Sequence, residues 1–180
     1  MFKDFNISSF KKQKTPSDNS FDTDQEIKAL KKIPLRKEFV EKYDDIEAAF
    51  KKTAEEQGIK DYDKNIAAKL IKDSAPVILK LKKHFNRPRP KVLAKKMNIK
   101  MEDYEIESMK TPSYPSGHSV QGILIAKVLG DKHPKAKSAF AKTGENISYS
   151  RRVALAHYKS DSKMGEKLGN SMYKHIKNKI

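Results

Sequence analysis

Side chains able to bind an anion and to transfer a proton fall in three short clusters of this sequence. The clusters lie where helical patterns break or turn, and such positions often carry functional residues on a rigid scaffold. In chain order they are Lys82 with Arg89-Pro90, then Pro115-Ser116-Gly117-His118, and last Ser150-Arg151 with His157 and Asp161. Basic side chains, a glycine turn, two histidines and an aspartate together fit chemistry on a phosphate group.

The first part of that chemistry is to hold the phosphate. Arg89 and Arg151 offer planar guanidinium groups whose paired N–H donors match phosphate oxygens, and Lys82 adds a point charge. Ser116 and Gly117 directly precede a predicted helix. Their N–H groups and the helix dipole can therefore face an anion, and glycine lets the backbone approach it closely. The sequence predicts an anion clamp made of these five residues.

The second part is nucleophilic attack and proton transfer. His157 can attack phosphorus if one ring nitrogen is unprotonated and correctly aimed. Asp161 follows it by four residues, which on a continuous helix is the same face, so its carboxylate can bond the other nitrogen and fix the tautomer. His118 is then available to protonate the leaving oxygen and later to activate water. We predict His157 as the nucleophile and His118 as the general acid and base.

Written as patterns, the clusters are K-x6-R-P, P-S-G-H and S-R-x5-H-x3-D. They resemble the three-part signature of the superfamily that joins type 2 phosphatidic acid phosphatases, bacterial class A acid phosphatases and vanadium haloperoxidases. The resemblance implies a helical bundle of that type and a phosphohistidine intermediate, formed with no metal and no other cofactor. It assigns catalysis to His157, His118 and Asp161, and phosphate binding to Lys82, Arg89, Ser116, Gly117 and Arg151.

Two positions depart from the pattern of that superfamily. Leu155 stands two residues before the predicted nucleophile, where many members carry a glycine. Lys91 follows Pro90, where acid phosphatases often have a phenylalanine. We therefore expect a different pocket wall near His157 and a substrate preference that does not transfer directly from acid phosphatases.

Each of these residues also has a structural interpretation when it is taken alone. His118 can be a helix-start residue and Asp161 an N-cap, while Lys82 can belong to a solvated face. Arg87 and Arg89 can be surface turn residues. The joint spacing of the three clusters favours the functional interpretation of the set.

Three functions are compatible with such a pocket. The leading one is hydrolysis of a small phosphorylated substrate, a phosphate monoester or a diphosphate, by an enzyme of the acid phosphatase type. The same residues can hold vanadate permanently, as in a haloperoxidase, although those enzymes are usually much larger. The third function is a basic binding protein that grips nucleic acid or a phospholipid headgroup without turnover.

The composition narrows the choice of partners. A net charge of +16 attracts anions, but the aromatic content of 8% and the lack of tryptophan provide few platforms for base stacking. This argues against nucleic acid as the partner and favours a small phosphorylated substrate. There is no cysteine, no apolar core of a signal peptide and no apolar run of the ~20 residues that span a bilayer. We expect a cytoplasmic protein without a membrane span.

The elements that must position these residues are predicted to be helices. Apolar residues recur at spacings of three and four, and no segment alternates strongly with period two. The predicted helices cover about 23–34, 39–58, 66–71, 77–85, 120–130, 134–157 and 164–176, with Pro76 starting or kinking the helix over 77–85 and a loop over 98–117. The fold class is all-α, a single-domain bundle of roughly six to eight helices. We expect residues 1–21 to form an N-terminal arm, flexible or docked through its phenylalanines, and residues 22–180 to form the helical phosphatase domain.

Overall fold

A computed structural model describes residues 1–102, 104 and 106–179 of the chain. Within these ranges every regular element is helical and no strand occurs, which confirms the predicted all-α fold. The α-helices are α1 (Ser8–Lys11), α2 (Phe21–Lys31), α3 (Lys37–Asp44), α4 (Ile46–Glu56), α5 (Lys64–Phe85), α6 (Pro90–Lys96), α7 (Gly117–Lys132), α8 (Lys137–Val153) and α9 (Lys159–Ile176). Two short 3-10 helices, Glu107–Lys110 and Pro134–Ala136, precede α7 and α8.

The helix predicted over residues 39–58 is two helices in the structure. Asp45 has an extended backbone, with φ −84° and ψ 102°, which ends α3. Its carboxylate then accepts a hydrogen bond from the N–H of Ala48 at 3.0 Å and so caps α4. Apolar periodicity continues across this break, which is why the pattern alone did not reveal it. Pro76, by contrast, lies inside α5 rather than at its start.

The helix predicted over residues 134–157 ends earlier, at Val153. Leu155 has a φ of 56°, in the left-handed region that glycine adopts far more readily than a residue with a side chain. This conformation explains why a glycine suits the position in the superfamily. It also turns the chain, so that His157 lies in the connection between α8 and α9.

The centre of the bundle is α7, which packs against both α8 and α9. Val120, Leu124 and Leu129 on this helix are fully buried. The approach of α9 depends on Gly165, since a Cβ atom there would lie 2.6 Å from the carbonyl oxygen of Ser116. This close contact brings the first turns of α9 against the start of α7, and so joins the second and third sequence clusters.

The N-terminal residues lie against the body of the bundle. Phe2 and Phe10 are buried in the main apolar core, and Phe5 is partly buried against it. Helix α1 packs on α5. The division of the chain at residue 21 stays a prediction. Among the described helices, none is both long enough and apolar enough to cross a membrane.

Candidate active site

The three sequence clusters meet at one cavity of about 190 Å³. Lys82 comes from the last turn of α5 and Arg89 directly precedes α6, while Gly117 begins α7. The residues that line the cavity are Lys82, Arg89, Thr111, Gly117, His118, Gln121 and His157. Parts of the chain that are far apart in sequence therefore share one space with predominantly basic walls, as a phosphate site requires.

His157 and Asp161 form a buried pair, in which His157 Nδ1 lies 3.1 Å from Asp161 Oδ2. The four-residue spacing led us to expect both residues on one continuous helix, but they do not share one. Because Leu155 turns the chain, His157 precedes α9 and only Asp161 lies in its first turn. The contact forms because Asp161 reaches back over the helix start, where it also accepts a hydrogen bond from the N–H of Tyr158 at 3.1 Å.

Asp161 is held by further donors on both of its oxygens. The hydroxyl of Ser113 donates to Oδ2, and Arg87 Nη1 lies 2.7 Å from Oδ1. Burial alone would raise the pKa of Asp161, but the hydrogen bond from His157, the charge of Arg87 and the hydrogen bond from Ser113 outweigh it. The pKa of Asp161 is therefore below its ordinary value, and the group is a carboxylate that accepts hydrogen bonds.

The tautomer of His157 is fixed by Arg89, which contacts the ring nitrogen that does not face Asp161. Arg89 Nη1 lies 2.9 Å from His157 Nε2. A guanidinium can only donate hydrogen bonds, so Nε2 must accept and carries no proton. The neutral ring then has its proton on Nδ1 and donates it to Asp161. An unprotonated nitrogen therefore faces the cavity, which is the state that a nucleophile needs.

The lowered pKa of the His157 ring agrees with this assignment. Burial lowers the pKa of His157 to about 3, against the opposing hydrogen bond of Asp161 and with help from the charge of Arg89. The ring is consequently neutral at any pH well above that value. No proton needs to leave before its lone pair is available.

Lys82 and Arg89 are the cations of the cavity wall. Their side chains are 5% and 8% exposed, so the interpretations of Lys82 as part of a solvated face and of Arg89 as a surface turn residue are wrong. Lys82 Nζ donates to the carbonyl of Pro112, while Arg89 donates to the carbonyls of Thr111 and Ala156, each at 2.8 Å. Burial lowers the pKa of Lys82 to about 7 and that of Arg89 to about 10. A bound phosphate would favour the charged form of both groups.

Arg151 is fully buried and is not among the residues that line the cavity. Its Nη1 lies 2.7 Å from a carboxylate oxygen of Asp44, and its Nε donates to the hydroxyl of Ser150 at 3.1 Å. Among the described residues, buried Nη2 has no hydrogen-bond partner. A buried donor without an acceptor is costly, so this nitrogen is the donor of Arg151 whose hydrogen-bonding capacity is unused.

His118 is held more loosely than His157. Its Nε2 lies 3.0 Å from the carbonyl oxygen of Asp44, at the end of α3, and its side chain is 18% exposed. Burial and the charge of Arg151 lower the pKa of His118 to about 4, while Asp44 opposes the shift. One ring nitrogen is engaged by a carbonyl, which leaves the other for a proton to be given and taken.

The P-S-G-H turn presents its glycine and histidine to the cavity rather than its serine. Ser116 is fully buried, and its hydroxyl caps α7 by accepting from the N–H of Ser119 at 3.3 Å. The N–H of Ser116 donates to the carbonyl of Asp161 at 3.1 Å. Since α7 begins at Gly117, the N–H groups of Gly117 and His118 lie at the positive end of the helix dipole.

Sequence reasoning missed the residues that hold the predicted ones in place, namely Arg87, Ser113, Thr111 and Asp44. Arg87 is 3% exposed, so the interpretation of it as a surface turn residue is wrong. The sequence Arg87-Pro-Arg89-Pro could have indicated that Arg87 has a defined position, since two prolines fix the backbone on either side of Arg89. Asp44 had no comparable signal. In the described ranges, no three His, Asp or Glu side chains are grouped so that they could hold a metal ion.

Two known proteins are similar to part of this chain. No family model matches the chain. A non-specific acid phosphatase of Salmonella typhimurium is 38% identical to it over 88 residues, and one of Salmonella typhi is 36% identical over 88 residues. Each match covers 49% of this chain and 35% of the relative, so the matched region spans about a third of those longer proteins. The resemblance to acid phosphatases that the three clusters indicated is confirmed over that region.

Proposed function

We propose that this protein is a phosphatase that hydrolyses phosphate monoesters through a covalent phosphate on His157. The observation that carries the proposal is the environment of the His157 ring. Its Nδ1 donates to a buried carboxylate and its unprotonated Nε2 faces a small basic cavity. The names of the two relatives support the reaction class, and the histidine chemistry is inferred from the contacts of the ring.

Substrate binding would rearrange the cations around the nucleophile. In the free protein, Arg89 Nη1 donates to the same nitrogen that must attack phosphorus. Phosphate oxygens carry negative charge and are stronger acceptors than a neutral imidazole, so a bound phosphate would draw this donor from His157. Lys82, the N–H of Gly117 and Nη2 of Arg151 would complete the set of donors. These groups supply the positive charge that phosphoryl transfer needs, and we propose that no metal ion is required.

The first chemical step would form the phosphohistidine. The lone pair of His157 Nε2 attacks phosphorus, the bond between phosphorus and the ester oxygen breaks, and protonated His118 gives its proton to the departing alcohol. Asp161 stabilises the positive charge that develops on the ring of His157, because the two groups are already hydrogen-bonded. Bound phosphate favours protonated His118 against the effect of burial.

The second step would return the enzyme to its starting state. Neutral His118 accepts a proton from a water molecule, whose oxygen attacks phosphorus as the bond between phosphorus and Nε2 breaks. The products are inorganic phosphate and a free His157 ring, with His118 protonated again. One histidine thus serves as acid and then as base, as the reversal of the first step requires.

Hydrolysis of p-nitrophenyl phosphate in EDTA, from pH 4 to pH 8, tests the proposal. We expect turnover by the wild-type protein and, for His157→Ala, a loss of activity to background. The matched control is His84→Ala, since His84 is an exposed histidine outside the cavity. Full activity of His157→Ala, or an absolute requirement for Mg²⁺, would contradict the proposal. Vanadate, which imitates five-coordinate phosphorus, should inhibit the wild-type protein competitively.

A further inference from the structure

Arg87 is a buried arginine that neither the sequence clusters nor the proposed reaction includes. Its Nη1 lies 2.7 Å from Asp161 Oδ1 and 2.7 Å from the hydroxyl of Ser160. Its Nη2 lies 3.0 Å from Glu26 Oε2, and the guanidinium stacks on the ring of Tyr158 at 3.8 Å from the centroid. A buried guanidinium with two carboxylates and an aromatic face is held in one orientation.

Glu26 brings a distant helix into the same network. It lies on α2, in the part of the chain that precedes all three sequence clusters. Besides the contact with Arg87, its Oε1 accepts from the N–H of Ser160 at 2.6 Å, and its Oε2 accepts from the hydroxyl of Ser160 at 2.7 Å. Glu26 therefore holds both Arg87 and the first turn of α9, which carries Asp161.

We propose that Arg87 and Glu26 are positioning residues for the reaction. Arg87 holds Oδ1 of Asp161, the oxygen that does not contact His157, and thereby fixes the orientation of His157. Glu26 in turn holds Arg87 in place. The inference rests on the proposed function for its effect on turnover. Its effect on the His157 ring can be measured without any turnover.

The geometry explains why Asp161 needs this second support. Asp161 Oδ2 faces Ser113, the N–H of Tyr158 and Nδ1 of His157, whereas Arg87 is the contact described for Oδ1. Without a donor on Oδ1, the carboxylate can rotate about its χ2 angle, which is a soft torsion. Rotation would weaken the hydrogen bond from His157 Nδ1 to Asp161. The proton would then no longer be held on Nδ1, and Nε2 would not be kept unprotonated.

The charge of Arg87 also matters for the pKa of the pair. Arg87 is among the causes that hold the pKa of Asp161 below its ordinary value. Loss of its charge would make Asp161 more basic, and a more basic carboxylate raises the pKa of the histidine it accepts from. Among the described residues, the charged groups that act on His157 and Asp161 include Lys82, Arg87 and Arg89, and Glu26 contacts Arg87.

The two residues therefore predict shifts of opposite sign. Arg87→Met removes positive charge and should raise the pKa of His157 by about 0.5–1 pH unit. Arg87→Lys keeps the charge but loses the fork, so we expect a smaller shift in the same direction. Glu26→Gln removes negative charge and should shift the pKa of His157 downwards. A residue that only stabilises the fold would produce no such ordered series.

The experiment combines imidazole ¹⁵N NMR titration of His157 with kcat and KM for p-nitrophenyl phosphate. We expect kcat to fall roughly tenfold to a hundredfold for Arg87→Met, with partial recovery in Arg87→Lys and little change in KM. The matched controls are Asp22→Asn, which removes an exposed charge from α2, and Arg36→Lys on the surface. Both controls should match the wild-type protein in kcat and in the His157 signals.

The possible outcomes separate the two proposals. If Arg87→Met does not fold, Arg87→Lys and Glu26→Gln still decide the matter, since both keep polar groups at their positions. Folded variants with kcat within twofold of the wild type and unshifted His157 signals would overturn the positioning role. A wild-type protein without phosphatase activity would overturn the proposed function alone, because the NMR series would still report whether Arg87 and Glu26 control the ring.

Discussion

The two histidines at the cavity are held in very different ways. His157 is 2% exposed, and Asp161 and Arg89 bond both of its ring nitrogens. His118 is 18% exposed in its side chain and is held by one backbone carbonyl, that of Asp44 at the end of α3. Asp161, the partner of His157, is buried and is held by Arg87 and further donors. Asp44, the partner of His118, is partly exposed.

The difference fits the two roles that we propose. A nucleophile must keep one tautomer and one direction through the whole cycle, and a buried network with several donors and acceptors provides both. A general acid and base must exchange its proton with water in every turnover, so partial exposure is an advantage. Buried polar groups thus surround the proposed nucleophile, whereas the proposed acid is partly exposed.

The largest effect should come from a substitution that changes the tautomer of His157. Asp161→Asn keeps the shape of the side chain, but its amide can donate to Nδ1 and so favour a proton on Nε2, the attacking nitrogen. We expect kcat to fall about 10³- to 10⁴-fold, by analogy with the same change in a serine protease triad. Steady-state kinetics will measure it, with Asp22→Asn on the surface of α2 as the control. A fall of less than tenfold would mean that the tautomer of His157 does not limit the reaction.

A smaller and more selective effect should follow from loss of the acid. His118→Ala should lower kcat about 10²- to 10³-fold for an alkyl phosphate, whose leaving oxygen needs a proton. The loss should be much smaller in the first step with p-nitrophenyl phosphate, because nitrophenolate leaves without protonation. Burst kinetics on the two substrates would show the contrast. Equal losses on both substrates would argue against His118 as the group that protonates the leaving oxygen.

The smallest effect should be a shift of the pH profile through Asp44. The negative charge of Asp44 raises the pKa of His118, and His118 must be protonated to act as the acid. Asp44→Asn removes that charge but keeps the backbone carbonyl bonded to His118, so the pKa falls. The alkaline limb of kcat should therefore move to lower pH, by about 0.5–1 unit. Asp45→Asn, which changes the neighbouring cap of α4, should leave the profile in place; an equal shift in both variants would contradict the assignment.

Residue identities and spacing that suit phosphate chemistry were enough to select from the sequence several residues that lie together in the structure, and their roles stay a prediction. Lys82, Arg89, Gly117, His118 and His157 all line one cavity in the structure. The spacing could not show that Asp161 reaches His157 over a helix start, since that depends on the turn at Leu155. Four-residue spacing on a helix and a cap that reaches back produce the same pattern of letters.

The supporting residues were beyond prediction for a different reason. Glu26 and Asp44 lie in the N-terminal helices, and their partners are more than sixty residues away along the chain. Acidic residues on amphipathic helices usually face solvent, so nothing in the local pattern marks these two. Their roles depend on the packing of α2 and α3 against the later helices. Only the three-dimensional structure provides that information.

The most direct test of the central proposal is to trap the phosphate on the protein. The wild-type protein and His157→Ala would be mixed with excess substrate, quenched in alkali to preserve phosphohistidine, digested and sequenced by mass spectrometry. We predict a phosphate on His157 in the wild-type protein, enriched in His118→Ala because release to water needs that base. A competent wild-type enzyme that never carries phosphate on His157, even when His118 is removed, would contradict the account.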